Sequence, residues 1–175
     1  MDIRKATGAD AAAVAEIYAE HVRIGTATFD TVAPDAAAMA AKISDHLARG
    51  WPFLLAEQDG QISGYAYASQ FRDRAAYAFA CEDSIYIAAD RRGQGVGKAL
   101  LRQLIVEAEA AGFRQMLAVI GGGEPASVAV HGSMGFRHIG KMNSVGRKFG
   151  RWLDVVFMQL PLGAGDEAPP VHEPG

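Results

Sequence analysis

The stretch Arg91-Arg92-Gly93-Gln94-Gly95-Val96-Gly97 stands between a strand-like run, residues 81–88, and a run of helical spacing that ends at Gly112. An apolar strand pattern, residues 116–120, follows the helix. The order strand, glycine turn, helix, strand directs backbone N–H groups of the turn outward at the positive end of the helix dipole. Glycines also let a ligand approach the main chain closely. The stretch therefore predicts an anion-binding turn in the middle of a domain that mixes helices and strands.

Two kinds of phosphate loop do not match this turn. A nucleoside triphosphate loop requires Gly-Lys-Ser/Thr, whereas Ala99 follows Gly97-Lys98, so the hydroxyl group for magnesium is missing. A dinucleotide fingerprint requires Gly-x-Gly-x-x-Gly early in a βαβ unit, whereas the glycines here alternate in mid-chain. In addition, no acidic residue ends the next strand.

The remaining pattern is Arg/Gln-x-x-Gly-x-Gly/Ala, which Arg92, Gly95 and Gly97 match. In a strand-to-helix setting this pattern is typical of the diphosphate loop of coenzyme A-dependent N-acetyltransferases. A glycine-rich turn without a ligand is the alternative interpretation.

The rest of the chain alternates between helical and strand patterns. Helices are predicted from Thr7 to Gly25, from Pro34 to Gly50 and over residues 125–134, and strands over residues 51–57, 61–69, 136–142 and 152–160. Asp59-Gly60 joins two of these strands and is a strong hairpin signal. We expect one α/β (α+β) domain over residues 1–162, with a mixed central sheet flanked by helices. Residues 163–175 contain Pro169-Pro170 and little apolar material, which predicts a disordered tail.

Composition and charge exclude several classes of protein. Hydrophobic residues make up 50% of the 175 residues and charged residues 21%, so the chain can bury a core. Its net charge of −3 does not favour nucleic acid or anionic lipid as a partner. One cysteine cannot form an intramolecular disulfide, and no apolar run approaches the roughly 20 residues of a membrane span. We expect a cytoplasmic protein without a membrane partner, and the scattered histidines predict no metal site.

The chain resembles the GNAT superfamily of N-acetyltransferases, and more narrowly the phosphinothricin and methionine sulfoximine acetyltransferases, over about residues 2–162. Beside the glycine turn, the resemblance rests on Thr28-Phe29, residues 71–77, residues 82–87, Pro125-Ala126-Ser127 with His131, and residues 146–154. It implies a single GNAT-like domain in which a bulge splays the strand before the diphosphate loop. It also implies direct transfer of an acetyl group from acetyl-CoA, without a metal, to the amine of a small amino-acid-like acceptor.

The resemblance assigns acetyl-CoA to three parts of the chain. The backbone of Ser84, Ile85 and Tyr86 would bind the pantetheine arm. The turn would bind the diphosphate through Arg92, Gly93, Gln94, Gly95, Val96 and Gly97, and the start of the short helix would contribute Glu124 and Ser127. Relatives usually have asparagine where Glu124 stands. An ionised glutamate cannot donate a hydrogen bond and caps a helix poorly, so we expect weaker cofactor binding.

Two residues are candidates for catalysis. Glu82 resembles the family's general base, which takes the amine proton through water, although it could also be a solvated strand residue or a salt-bridge partner of Arg72 or Arg74. His131 stands where relatives often carry a tyrosine or histidine proposed to protonate the leaving thiolate. Histidine suits this role because its ordinary pKa lies near neutrality. It could instead be a helix residue packed against the sheet.

The resemblance places the acceptor among the side chains of Phe29, Phe71, Arg72, Asp73, Arg74, Tyr77, Cys81 and Asp83. Arg72 and Arg74 would bind an anionic group of the acceptor through paired donors, although they could belong to an ordinary solvated loop. The aromatic residues could equally lie in the core. Cys81 is more typical of a small buried strand residue than of a nucleophile.

The segment from Lys148 to Asp154 lies near the dimer interface in the resembling family, so a homodimer is expected, although the segment could be a plain hairpin turn. Two other functions stay open at this point. One is acetylation of a protein N-terminus or of another amine, such as an aminoglycoside or polyamine. The other is a non-catalytic acyl-CoA-binding regulatory module.

Overall fold

The computed structural model describes residues 1–170, which form a seven-stranded sheet with helices on both faces. The strands are β1 (Asp2–Lys5), β2 (Phe53–Gln58), β3 (Gln61–Gln70), β4 (Ala80–Ile87), β5 (Gln115–Gly121), β6 (Arg137–Lys148) and β7 (Arg151–Pro161). The helices are α1 (Ala11–Ile24), α2 (Ala36–Ala48), α3 (Val96–Ala110) and α4 (Pro125–Ser133). The strand order is β1-β2-β3-β4-β5-β7-β6, and only β4 and β5 run parallel. The predicted mixed sheet with flanking helices is confirmed.

Two strands differ from the sequence-based prediction. β1 was not predicted, because its four residues are mostly polar and it gains its place by pairing with β2 at the sheet edge. β6 continues six residues past the predicted end at residue 142. Its side chains are almost all exposed, so the alternation that marks a half-buried strand is missing from its sequence.

The two faces of the sheet carry separate cores. One core joins α1 and α2 to an aromatic group on β2, β3 and β4: Phe53, Tyr65, Tyr67 and Tyr86. The other core joins Leu100, Leu101 and Leu104 of α3 to side chains of β2 to β5 that lie on the opposite face of the sheet. Since successive strand residues alternate between faces, Glu82 and Ser84 belong to the α1/α2 face, and Cys81 and Asp83 to the α3/α4 face.

Hydrogen bonds fix α2 against β3 on the first of these faces. Asp35 caps the helix by accepting a bond from the Ala38 N–H at 2.8 Å. Near the other end, His46 is bonded to the Ser69 hydroxyl at 2.8 Å through Nε2 and to the Lys42 carbonyl at 2.8 Å through Nδ1. The α2 face that includes Lys42 and His46 is therefore held over β3.

β4 separates from β5 after four residue pairs. The pairs run from Ala80 with Gln115 to Asp83 with Ala118, whereas β4 stays paired with β3 as far as Ile87. The resemblance implied a bulge in β4, but the register with β3 is continuous. The splay therefore arises because only one edge of β4 is released, beginning at Ser84.

The segment after β7 is only partly described. Residues 163–170 form turns and bends, and Arg114 donates hydrogen bonds to the Gly165 carbonyl at 3.0 Å and the Ala168 carbonyl at 2.6 Å. Residues 171–175, the end of the predicted tail, lie outside the described residues. The domain limit at residue 162 stays a prediction. Within residues 1–170, the helices are all too short or too polar to cross a bilayer.

Candidate active site

A cavity of about 340 Å³ occupies the gap between β4 and β5. Its walls include eight of the residues predicted for the site: Phe29, Glu82, Asp83, Ser84, Ile85, Tyr86, Ser127 and His131. They also include Thr28, Tyr67 and Val155, which the sequence did not single out as site residues. Because the gap passes through the sheet, the cavity reaches side chains of both faces. Glu82 and Asp83, neighbours in sequence, therefore contribute carboxylates from opposite faces of the sheet.

Glu82 is a half-buried carboxylate that makes no hydrogen bond within residues 1–170. Burial raises its pKa, and the charge of Asp83 raises it further, against the opposing charges of Arg72 and Lys42. A carboxylate with a raised pKa is a stronger base than an exposed glutamate. Glu82 is thus suited to take a proton from a group bound in the cavity.

Asp83 and His131 form a buried pair on the other side of the gap. His131 Nε2 lies 2.9 Å from Asp83 Oδ2, and His131 Nδ1 lies 2.7 Å from the Ser127 carbonyl oxygen. Burial alone would lower the pKa of His131, but the hydrogen bond and charge of Asp83, together with the Ser127 carbonyl, raise it overall. Both ring nitrogens face acceptors, so this environment favours the imidazolium form. His131 Nε2 already shares its proton with Asp83 in a hydrogen bond. Protonation of the leaving thiolate by His131 stays a prediction.

The glycine turn lies at the carboxyl end of β4 and opens α3. Gly93 and Gly95 have φ of +75° and +82°, the left-handed region that favours glycine, and Gly95 is the N-cap of α3. The Gln94 side chain closes the turn by donating to the Asp90 carbonyl at 2.8 Å. The first helical bond runs from the Ala99 N–H to the Gly95 carbonyl, so the N–H groups of residues 96–98 precede the hydrogen-bonded part of α3. This is the arrangement of an anion site.

The arginines at the turn are partly engaged by carboxylates. Arg91 lies 3.7 Å from Asp59 and 3.4 Å from Asp90, whereas the more exposed Arg92 lies 3.7 Å from Glu20. Pairs at these distances and exposures are weak. Arg92 is therefore the arginine more readily turned toward an anion at the start of α3.

The start of α4 carries Glu124 and Ser127, the two residues near this helix terminus that are predicted to contact the cofactor. Glu124 is the N-cap, its side chain is exposed and makes no capping bond, and Pro125 is the first helical residue. Glu124 does not line the cavity, whereas Ser127 does. The Ser127 hydroxyl lies 3.3 Å from His131 Nδ1, so this part of α4 supports the His131 ring.

The predicted arginine segment lies outside the cavity walls. The connection between β3 and β4 carries four exposed residues of the predicted site: Arg72, Asp73, Arg74 and Tyr77. The guanidinium carbon of Arg72 lies 4.2 Å from the centroid of the Phe71 ring. The connection begins next to the pair Gln70 and Cys81. It therefore joins the sheet close to Glu82 and carries these side chains on the surface beside the cavity rather than in the cavity wall.

The sequence-based prediction placed Cys81 in the acceptor pocket, but Cys81 does not line the cavity. Its side chain is 0% exposed and belongs to the core under α3, on the face opposite to Glu82. Burial raises the pKa of its thiol well above the usual range. Cys81 does not line the cavity, although Asp83 on the same face does, because the Cys81 side chain is packed inside the core.

A buried lysine holds the segment that carries Phe29. Lys148 Nζ donates to the carbonyl oxygens of Gly25 at 2.8 Å and Thr28 at 2.9 Å, and the lysine is only 6% exposed. Gly146 lets the Phe29 ring lie against the backbone of β6, because a β-carbon there would overlap the ring. Lys148 and Gly25 are separated by 123 positions, so no local pattern could have predicted this contact.

A second anchor holds the same segment from α1. The Tyr18 hydroxyl lies 2.7 Å from the Thr28 hydroxyl and donates to Asp30 at 2.7 Å. Burial raises the pKa of Tyr18, so the hydroxyl stays protonated and remains a donor. The wall of the cavity formed by residues 27–29 is therefore fixed from α1 and from the β6–β7 hairpin together.

Comparisons with known proteins agree with this geometry. A family model described as "Acetyltransferase (GNAT) domain" matches residues 3–157. A phosphinothricin N-acetyltransferase of Alcaligenes faecalis is 50% identical over 162 residues, which cover 92% of this chain and 82% of that protein. An L-methionine sulfoximine/L-methionine sulfone acetyltransferase of Pseudomonas aeruginosa is 38% identical over 168 residues, covering 95% of this chain and 98% of that protein.

A solved structure shows the same fold. The crystal structure of a phosphinothricin acetyltransferase from Sinorhizobium meliloti in complex with AcCoA has a TM-score of 0.96 and 47% identity, covering 98% of this chain and 93% of that one. The chain belongs to the GNAT acetyltransferase family. The family predicted from the glycine turn and the accompanying motifs is confirmed.

The Lys148 contacts predict a measurable effect on the cavity wall. Lys148→Met leaves the Gly25 and Thr28 carbonyls without their donor, which should lower the free energy of unfolding by about 1–3 kcal/mol. Amide exchange of residues 25–30 should become faster, as followed by hydrogen exchange with mass spectrometry. The control is Lys141→Met on the same strand, where the lysine is 53% exposed and pairs with Asp154. Unchanged exchange of residues 25–30 in Lys148→Met would refute this role.

Proposed function

We propose that this acetyltransferase moves the acetyl group of acetyl-CoA to the amine of a small amino-acid-like acceptor, such as methionine sulfoximine, methionine sulfone or phosphinothricin. The observation that carries the proposal is the Glu82 carboxylate in the gap between β4 and β5, which has no hydrogen-bond partner among residues 1–170. Relatives with 38% and 50% identity are named for these acceptors. The exposed Arg72 and Arg74 beside the cavity favour an acceptor with an anionic group over a polyamine or aminoglycoside.

Three features of the chain fit acetyl-CoA. The released edge of β4 offers backbone groups of Ser84, Ile85 and Tyr86 that β5 does not pair. The glycine turn offers N–H groups at the start of α3 to a diphosphate. The cavity joins the released edge to Glu82, with room for a thioester arm and a small acceptor. When bound, acetyl-CoA would supply the thioester carbonyl that the acceptor amine attacks; as the amide bond forms, the C–S bond breaks and coenzyme A leaves as a thiolate that takes up a proton.

The side chains around the gap then divide the proton chemistry. Glu82 accepts the proton of the amine, directly or through a water molecule, because its raised pKa makes it a stronger base. The imidazolium of His131 balances the buried charge of Asp83 beside the gap. This pairing leaves Glu82 as the carboxylate free to receive a proton.

Replacing Glu82 tests its role and separates an enzyme from a non-catalytic acyl-CoA-binding module. Glu82→Gln should bind acetyl-CoA with unchanged affinity by calorimetry, while kcat falls at least tenfold because the amine proton has no acceptor. In the natural chain, the acid limb of the kcat profile should lie above the usual pKa range of glutamate, because activity requires the deprotonated form. Glu16→Gln, at an exposed position of α1, is the matched control. Unchanged turnover in Glu82→Gln would remove Glu82 from the mechanism.

The arginines beside the cavity predict a change in acceptor affinity. Arg72→Ala and Arg74→Ala should each raise the KM for methionine sulfoximine severalfold, because a cationic donor beside the cavity is lost. The KM for acetyl-CoA should not change. Arg102→Ala, which removes an exposed arginine of α3, provides the control. The assignment is wrong if both variants keep the acceptor KM of the natural chain.

We also propose that the chain works as a homodimer through the surface formed by β6 and the β6–β7 hairpin. β6 is an edge strand with nearly all side chains exposed. Its neighbourhood carries five large exposed hydrophobic residues: Ile139, Met142, Val145, Phe149 and Trp152. A long edge strand with exposed hydrophobic side chains offers a surface for another chain. A second copy that covered it would also support the hairpin that holds Lys148.

Light scattering coupled to size-exclusion chromatography tests the dimer. The natural chain should elute with twice the mass of the 175-residue chain, whereas Trp152→Glu should shift the equilibrium to the monomer because it places a charge in the interface. Val106→Glu, at a 56% exposed hydrophobic position of α3, controls for the added charge. A natural chain that is monomeric at micromolar concentration would contradict the proposal.

We further propose that the reaction takes place in the cytoplasm. The single cysteine is a buried free thiol, which agrees with a reducing compartment where disulfides are rare. The net charge of −3 favours neither nucleic acid nor a lipid surface as a partner. A small-molecule amine is the partner that the cavity can accommodate.

A further inference from the structure

Lys42 is a half-buried cation that contacts Tyr67, a residue of the cavity wall. Its Nζ donates to the Tyr67 hydroxyl and stands 4.0 Å from the centroid of the Tyr67 ring. Within residues 1–170, no carboxylate pairs with Lys42. Two of its three donors are therefore available to an anionic ligand.

The sheet register places this cation near Glu82. Tyr67 pairs with Ser84, and Ser69 pairs with Glu82, so Tyr67 and Glu82 are diagonal neighbours on the same face. Diagonal neighbours are separated by roughly 7–8 Å. Tyr67 and Glu82 both line the cavity, and α2, which carries Lys42, is bonded to Ser69 through His46. The positive charges of Arg72 and, to a smaller extent, Lys42 lower the pKa of Glu82 against the effect of burial.

An amino-acid acceptor needs a cation in this position. Its amine must approach Glu82 to be deprotonated, which brings the carboxylate on the same carbon atom near a negatively charged side chain. Like charges in a half-buried site repel strongly unless a cation compensates them. Arg72 and Arg74 are exposed on the β3–β4 connection and do not line the cavity, so they would contact the part of the acceptor that faces the outside of the cavity.

We infer that Lys42 binds the α-carboxylate of the acceptor and thereby selects α-amino acids over simple amines. This inference rests on the proposed function. It assigns the two ends of the acceptor to different cations, with the α-carboxylate at Lys42 over Tyr67 and the distal anionic or sulfonyl-type group at Arg72 and Arg74.

The experiment compares two acceptors that differ only in the carboxylate, L-methionine sulfone and the amine left after its decarboxylation. Lys42→Met keeps the length and apolar packing of the side chain over Tyr67 but removes its charge. It should lower kcat/KM for L-methionine sulfone at least tenfold, mainly through KM, and change kcat/KM for the decarboxylated amine less than twofold. Lys42→Arg, which retains a cation, should recover part of the loss. The KM for acetyl-CoA reports that the rest of the site is intact.

Each result decides the inference. An equal loss for both acceptors would mean that Lys42 acts through Glu82 or through folding, and would overturn it, as would no loss for either acceptor. In both cases turnover of methionine sulfone by the natural chain would leave the proposed function standing. If the natural chain acetylates none of methionine sulfone, methionine sulfoximine and phosphinothricin, the proposed function fails and the Lys42 inference fails with it.

Discussion

The structure depends on the early separation of two parallel strands. β4 pairs with β5 over four residues and then leaves it, while β4 stays bonded to β3 along its whole length. Unpaired backbone groups in a protein interior are costly, so the released edge needs a ligand or water to satisfy it. The same gap provides the cavity, gives Glu82 and Asp83 access to one space, and places that space before the glycine turn that starts α3. A single interruption of hydrogen bonding thus creates the surface that we propose for acetyl-CoA.

Five buried or half-buried charged side chains lie in or near the gap, and they differ in their partners. Asp83 and His131 neutralise each other at 2.9 Å. Lys148 has two backbone carbonyls as partners, and Lys42 has the hydroxyl and ring of Tyr67. Glu82 alone makes no hydrogen bond within residues 1–170, although burial makes an unsatisfied carboxylate unfavourable. This imbalance is what a general base requires, because the proton it accepts also relieves the cost of its buried charge.

The sequence predicted the parts of the site that depend on local patterns. Gly93 and Gly95 marked the left-handed turn, and the strand pattern before it contained Glu82, Ser84 and Tyr86. Alternation along β4, read strictly, would also have separated Cys81 from Glu82. The contact of Lys148 with the segment before Phe29 could not be predicted, because it joins residues more than 120 positions apart. Tyr67 entered the site through its cross-strand pair with Ser84, which only the sheet register reveals.

Hydrogen exchange with and without acetyl-CoA tests most directly whether the released edge of β4 is the binding surface. Saturating acetyl-CoA should slow amide exchange in residues 84–86 and in residues 93–98, while β1 and the exposed strand β6 exchange as before. The same protection should appear in Glu82→Gln, since binding by the backbone does not require the base. Unchanged exchange in residues 84–86 under conditions where acetyl-CoA is bound would contradict the account.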